Sequence, residues 1–270
     1  MAVITISQGT HSGARMLAAA VSQRLGYRCI DREQLLSKAA AQWGASQQDL
    51  RAAFEEPPRF FGQSPRTKYA YLALIQATLA EEVRCGNTIY DGLAGNILLG
   101  KGNHVLRTRI VAPMEFRVPM VQYRRQCGRK EAIAYIERMD EDRRKWVRFL
   151  YDVDWADASL YDLVLNLEQM TLVEACDVIC LLAASPCYQT TKETQADLDN
   201  LALASRVKAN LAVNPDTSEL QLEITAQGGS VSIKGDIDAR SQARKIRSFV
   251  ETLPGVRAVS VEELSLVTRI

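Results

Sequence analysis

The sequence predicts an α/β chain in two parts: a parallel sheet flanked by helices over residues 1–185, then a small α+β domain of order αββαβ over residues 196–270, with residues 186–195 as the linker. Three observations predict it. Short β-branched apolar runs alternate with segments of helical spacing up to Ala184. The stretch that follows, SPCYQTTKET, is polar and poor in apolar periodicity. Beyond it, two alternating apolar runs meet at Gly228-Gly229, which is a hairpin signature.

Taken in order, Ala2 to Ser7 reads as a strand, Gly9 to Ala14 as a turn and Arg15 to Leu25 as a helix. Tyr27 to Ile30 is a second strand, followed by helices over Glu33 to Trp43 and Gln47 to Phe54. Glu55 to Pro65, with three prolines and a glycine, reads as a loop before a helix from Thr67 to Arg84. Strands follow at Thr88 to Asp91 and Val105 to Val111, then two long charged helices, Met114 to Cys127 and Arg129 to Tyr151. Tyr161 to Leu167 is a fifth strand and Leu172 to Ala184 a helix. In the second domain the readings are helix 196–213, strands 220–226 and 230–237, helix 239–253 and strand 256–261. Val231, Ile233, Ile246, Val250, Val256 and Val259 are expected in its core.

Composition bounds the function. With 47% hydrophobic and 24% charged residues the chain can bury a core. Its 33 basic and 32 acidic residues leave a formal charge of +1, so no global field draws nucleic acid or an anionic membrane, and any anion site is local. The opening MAVITISQG lacks a basic stretch before a long apolar one, and no segment reaches the roughly 18 apolar residues of a membrane span; a cytoplasmic protein is expected. Six cysteines without CxxC pairs, and only two histidines, predict no metal-thiolate site.

The chemistry concentrates in ISQGTHSGAR, placed after the first strand and opening the first helix, where backbone N–H groups and the helix dipole face an anion. Against the phosphate-loop pattern of Gly, four residues, then Gly-Lys-Ser/Thr, this chain gives Gly9, Thr10 to Gly13, then Ala14, Arg15 and Met16. Arg15 supplies a charge in place of lysine; Met16 offers no hydroxyl. By spacing alone, a tight strand-to-helix turn without a ligand reads nearly as well.

ITISQGTHSGARMLAAAVSQRLGY, CIDREQLL, NTIYDGLAGNILL, APMEFRVPMV, the segment Asp140 to Trp155 and YDLVLN follow one another in an order that resembles the cytidylate kinase-like family. The resemblance implies a P-loop nucleoside monophosphate kinase-like fold, an ATP-dependent phosphotransferase and Mg²⁺ as cofactor. On matching positions it implies that Gly9, Thr10, Ser12, Gly13, Ala14 and Arg15 cradle nucleotide phosphates. Asp31 and Asp91 would hold the acceptor nucleotide, and Arg15, Asp91, Arg117 and Arg143 would carry catalysis, with Arg143 in a lid-like basic helix. Asp31 reads equally as a helix N-cap. Two departures stand against this pattern: Gly92-Leu93 where the family shows Gly-Arg, and Met16 without its hydroxyl.

ASRVKANL, GGSVSIKGDID and ARKIRSFVETLPGVRAVSVEEL resemble a BON domain, which implies a regulatory, protein or lipid partner for the second domain. Its ten basic and eleven acidic residues after Ser185 argue against strong attachment to anionic lipid. The expected function is therefore transfer of phosphate to a small nucleotide. The alternatives are a catalytically degenerate, nucleotide-sensing pseudo-kinase and a lipid- or partner-binding protein acting through the second domain.

Overall fold

The computed structural model describes residues 2–55, 65–100, 104–218, 220, 222–235, 237 and 240–263. The proline-rich loop expected over 55–65 falls almost wholly outside them. In chain order the elements are β1 (Val3–Gln8), α1 (Ala14–Leu25), β2 (Arg28–Asp31), α2 (Arg32–Trp43), α3 (Gln47–Glu55), α4 (Pro65–Val83), β3 (Thr88–Asp91), α5 (Gly95–Leu98) and β4 (Val105–Val111). There follow α6 (Met114–Arg125), α7 (Arg129–Tyr151), β5 (Leu163–Asn166), α8 (Leu172–Ala183), α9 (Lys192–Val213), β6 (Leu222–Gln227), β7 (Ser230–Gly235), α10 (Arg240–Glu251) and β8 (Ala258–Glu263).

By compactness the chain forms two units. One holds Met1–Ser37, Glu55–Phe61 and Cys85–Thr191; the other holds Lys38–Phe54, Gly62–Arg84 and Lys192–Ile270. Where the sequence suggests one division, near 186–195, compactness draws several, because α3 and α4 cluster with the C-terminal segments. Helix α9 starts at Lys192, inside the expected linker. Its first turn is polar and exposed, and its buried face begins only at Leu198, which is why apolar periodicity does not reveal the start.

The first unit is built on a five-stranded sheet of order β2-β3-β1-β4-β5. Every pairing in it is parallel. Central β1 pairs Ile6 with Asp91 of β3 on one side and with Thr108 of β4 on the other. Both neighbours of β1 follow it through long crossovers, so the chain leaving β1 emerges between them at the carboxyl edge, where open α/β sheets collect ligands.

Burial explains why these segments stay in place. Ile4, Ile6, Ile89, Leu106 and Ile110 form one face of the sheet and pack against Leu17 and Val21 of α1 and Ala175 and Ile179 of α8. Each large aliphatic contributes roughly 1.5–3 kcal/mol by leaving water. Helix α8 is started by Thr171, whose hydroxyl accepts from the Glu174 amide while the Glu174 carboxylate accepts from the Thr171 amide at 2.8 Å. On the opposite face α5 lies over Tyr90 and Thr5, and a Cβ at Gly95 would stand 2.4 Å from Tyr90 Cδ1. Helices thus cover both faces.

In the second unit β6 and β7 run antiparallel and β7 and β8 parallel. The turn at Gly228 and Gly229 has φ of +55° and +90°, the pair of positive values that a two-residue hairpin demands. Val231, Ile233, Ile246 and Val250 are buried with Leu203, Val207 and Leu211 of α9, and Val256 and Val259 pack against them, so all six expected positions lie in or on this core. Helix α4 runs beside α9 in this unit, joined by the Gln195 amide donating to the Arg84 carbonyl at 2.9 Å.

Candidate active site

The loop that follows β1 is shaped by its own residues. Gly13 has φ +90° and precedes the first residue of α1. A side chain there would be strained, and its Cβ would lie 3.2 Å from Leu167 Cδ1, so the position requires glycine on two counts. His11 is also left-handed, at φ +57°. The Ser12 amide turns back to the Gly9 carbonyl at 3.3 Å, and the Met16 and Leu17 amides bond the Gly13 carbonyl at 3.1 and 3.2 Å. The amides of Gly13, Ala14 and Arg15 belong to the turn that opens α1, where a helix has no preceding carbonyls of its own to offer.

Two arginines from the helices after β4 reach this loop. Arg117 of α6 donates through Nε to the Thr10 carbonyl at 2.7 Å and through Nη2 to Asp140 Oδ2 at 2.5 Å. Gly9 lies against this guanidinium: a Cβ there would be in ordinary contact with Arg117 Nη2, at 3.4 Å. Arg143 of α7 donates to the Gln8 carbonyl at 3.3 Å and lies 4.0 Å from Asp140 Oδ1. Arg117, Arg143, Arg124 and Arg125 all bear on His11, whose pKa is lowered first by burial and then by these four charges. These four guanidiniums make a locally positive pole on a chain that is nearly neutral overall.

Acidic groups stand on the other side of the loop. Asp91 ends β3, is 6% exposed and accepts from Gln8 Nε2 at 2.9 Å. Burial pushes its carboxyl up to about 6, with Arg15 and the Gln8 hydrogen bond opposing and Asp31 reinforcing. Asp31 ends β2 and does two things. It caps α2, accepting from the Gln34 amide at 2.9 Å while Gln34 Oε1 accepts from the Asp31 amide, and it accepts from Arg15 Nη2 at 3.1 Å. One side chain thus both caps α2 and pairs with Arg15. A cleft of about 160 Å³ is lined by Gln8, Arg15, Asp31, Asp91, Leu93 and Arg143 among others.

The structure thus brings the loop residues Gly9 to Arg15 together with Asp31, Asp91, Arg117 and Arg143 at one sheet edge. Three participants were missed by sequence reasoning. Gln8 and Asp140 carry no motif; only the spacing of Asp140 three residues before Arg143 on a helix hints at a shared face. Arg109, in the middle of β4, is buried between Trp155 and Tyr161 with its guanidinium carbon 4.5 and 5.5 Å from the two ring centres. It donates to the Trp155 carbonyl, and the Tyr161 hydroxyl in turn reaches Ser7 Oγ at 3.4 Å. This stack braces the segment between α7 and β5 against the sheet beneath the loop.

The residues fit a polyphosphate better than they fit a metal. Thr10 Oγ1 is buried with no partner among the described residues, and the Thr10 carbonyl takes Arg117 Nε. Met16, in the hydroxyl position of the loop, is 46% exposed and brings no oxygen. Among the described residues no group of three His, Cys, Asp or Glu side chains is arranged to hold a metal ion. Cys176 and Cys180, one turn apart on α8, lie with their sulfurs 3.9 Å from each other in the core layer.

A family model described as the cytidylate kinase-like family matches residues 3–169. The chain belongs to that family. A model described as the BON domain matches residues 199–268. The family segment is 27% identical over 165 residues to a cytidylate kinase of Methanothrix thermoacetophila, covering 61% of this chain and 87% of that protein. It is 26% identical over 172 residues to a cytidylate kinase of Ignicoccus hospitalis, covering 62% and 90%. A solved structure of an uncharacterized protein from Eubacterium ventriosum matches with a TM-score of 0.53 at 14% identity, over 67% of this chain and 97% of that one, which speaks to the fold alone. Family membership makes a kinase-like function the starting point for reading the cleft. Among the described residues no single helix is long and apolar enough to cross a membrane.

Proposed function

We propose that the protein is an ATP-dependent phosphotransferase of the cytosol that acts on a small nucleotide, a pyrimidine monophosphate, with the BON domain as a binding or regulatory module. The observation that carries this reading is that Arg117 holds the Thr10 carbonyl and Arg143 the Gln8 carbonyl, while Arg143, Arg15 and Asp91 line one cleft. In this account the amides around Ser12 and Gly13, with Arg15, hold the donor's β- and γ-phosphates. Asp91 orients the acceptor with Asp31 beside it. An acceptor phosphate oxygen attacks the γ-phosphorus as the bond to the β–γ bridging oxygen breaks, and ADP leaves. Arg117 and Arg143 offset the charge on the transferred group, which is where such enzymes gain most of their rate. Mg²⁺ would be held chiefly by the nucleotide's own phosphates and by water, since Met16 brings no hydroxyl.

A second reading is favoured by two specific residues. Met16 and Leu93 replace side chains that the family pattern places on the metal and on an anion, and a nucleotide-sensing pseudo-kinase would tolerate both losses. One assay separates the readings. Full-length protein with ATP and Mg²⁺, offered CMP, UMP, dCMP, AMP and GMP in turn, forms ADP with a pyrimidine monophosphate if it is a kinase. Saturable ATP binding with no ADP above the protein-free control assigns the sensor.

A further inference from the structure

Asp140 occupies a place where the reading above puts an anion. Its Oδ1 accepts from the Thr10 backbone amide at 2.8 Å, and its Oδ2 takes Arg117 Nη2 at 2.5 Å. Arg143 lies 4.0 Å from Oδ1, one turn along α7. A loop amide and one guanidinium donating to the two carboxylate oxygens, with a second guanidinium 4.0 Å away, is the kind of donor set that a terminal phosphoryl group would use. The pair is sheltered, with Arg117 and Asp140 side chains 11% and 19% exposed, so its charges attract more strongly than on an open surface. Arg117 meanwhile spends Nε on the Thr10 carbonyl, and Arg143 spends Nη1 on the Gln8 carbonyl. In this state both arginines are committed to the protein.

We propose that Asp140 is a positioning residue that holds the place of the terminal phosphate: its carboxylate clasps α7 to the loop at Thr10, keeps Arg117 aimed at the site, and is displaced when a polyphosphate takes over those donors. The inference rests on the phosphotransferase reading. The clasp opposes binding, because the arriving anion must replace an existing one, and apparent affinity falls by the fraction of molecules in which the site is open. It also ensures that the arginines are never left without a counter-charge in a half-buried place.

Calorimetric titration of ATP into the full-length protein and into Asp140→Asn tests it, with Asp140→Ser as the second charge-free variant should the first misfold. Loss of the carboxylate is expected to tighten ATP binding about tenfold, as it would if the site is open about a tenth of the time. At the same time turnover is expected to fall, because ADP, held by the same donors, leaves more slowly once no carboxylate competes for them. A merely structural role cannot give that split, since a damaged loop binds less tightly. Wild type that binds ATP, with variants of equal or weaker affinity, overturns the role of Asp140 and leaves the phosphotransferase reading standing. No binding by any of the three proteins overturns both.

Discussion

Arg15 donates to Asp31 at 3.1 Å, so its guanidinium is turned across the cleft toward the end of β2. The Arg15 side chain is 72% exposed, and the ion pair by itself contributes under about 1 kcal/mol. The cap that Asp31 makes on α2 matters more to folding. Asp31→Ala is expected to lower stability by about 1 kcal/mol in urea unfolding, the usual cost of a lost N-cap. In the assay it is expected to raise KM for the acceptor more than tenfold and KM for ATP less than threefold. Equal effects on both would place Asp31 outside the acceptor subsite.

Gly13→Ala tests the loop's geometry. The φ of +90° penalises any side chain, and the new methyl would press on Leu167 Cδ1. A loss of about 1–2 kcal/mol in stability is expected, together with loss of ATP binding as the loop and the first turn of α1 shift. Differential scanning fluorimetry with and without ATP reads both: a lower Tm, and no rise when ATP is added.

Most of the fold was legible because its signals are local. The alternation of β-branched runs such as VITIS and TIYD with helical segments specifies a parallel sheet, and Gly228-Gly229 specifies the hairpin. What was not legible depends on packing at a distance. Nothing in QQDLRAAFE or in the sequence of α4 tells that these helices join the same compact unit as α9, because amphipathic faces carry no address. The start of α9 was missed for a related reason, its first turn having no buried face. At the site, the loop and the end of β3 were readable from their position after strands. Asp140 was not, because a carboxylate among Arg138, Arg143 and Arg144 looks like part of a solvated helix until coordinates place it on the Thr10 amide.

Met16→Ser restores the hydroxyl that the loop pattern calls for. Met16 is half exposed, so stability should change by less than about 0.5 kcal/mol. The Mg²⁺ concentration for half-maximal turnover is expected to fall several-fold. An unchanged Mg²⁺ dependence would mean that position 16 does not face the metal.

Asp91 gives the protein a defined pH response. Its carboxyl is raised to about 6 by burial, above the ordinary value of 3.8, so between those pH values the folded state binds more protons than the unfolded one. Stability from this group is therefore greatest at low pH and is lost as pH rises through about 6, by an amount on the order of 2–3 kcal/mol. Asp91→Asn is expected to flatten the stability profile between pH 4 and 6.5 in urea unfolding. A profile that keeps its slope would assign the titration elsewhere.

The proposed phosphotransfer requires a polyphosphate to bind at the loop between β1 and α1. Calorimetric titration of ATP into full-length protein and into Arg15→Ala tests this most directly. One saturable site is expected in the wild type, weakened at least tenfold in the variant, whose far-UV spectrum stays the same. No heat in the wild type, or equal affinity in both proteins, would contradict it.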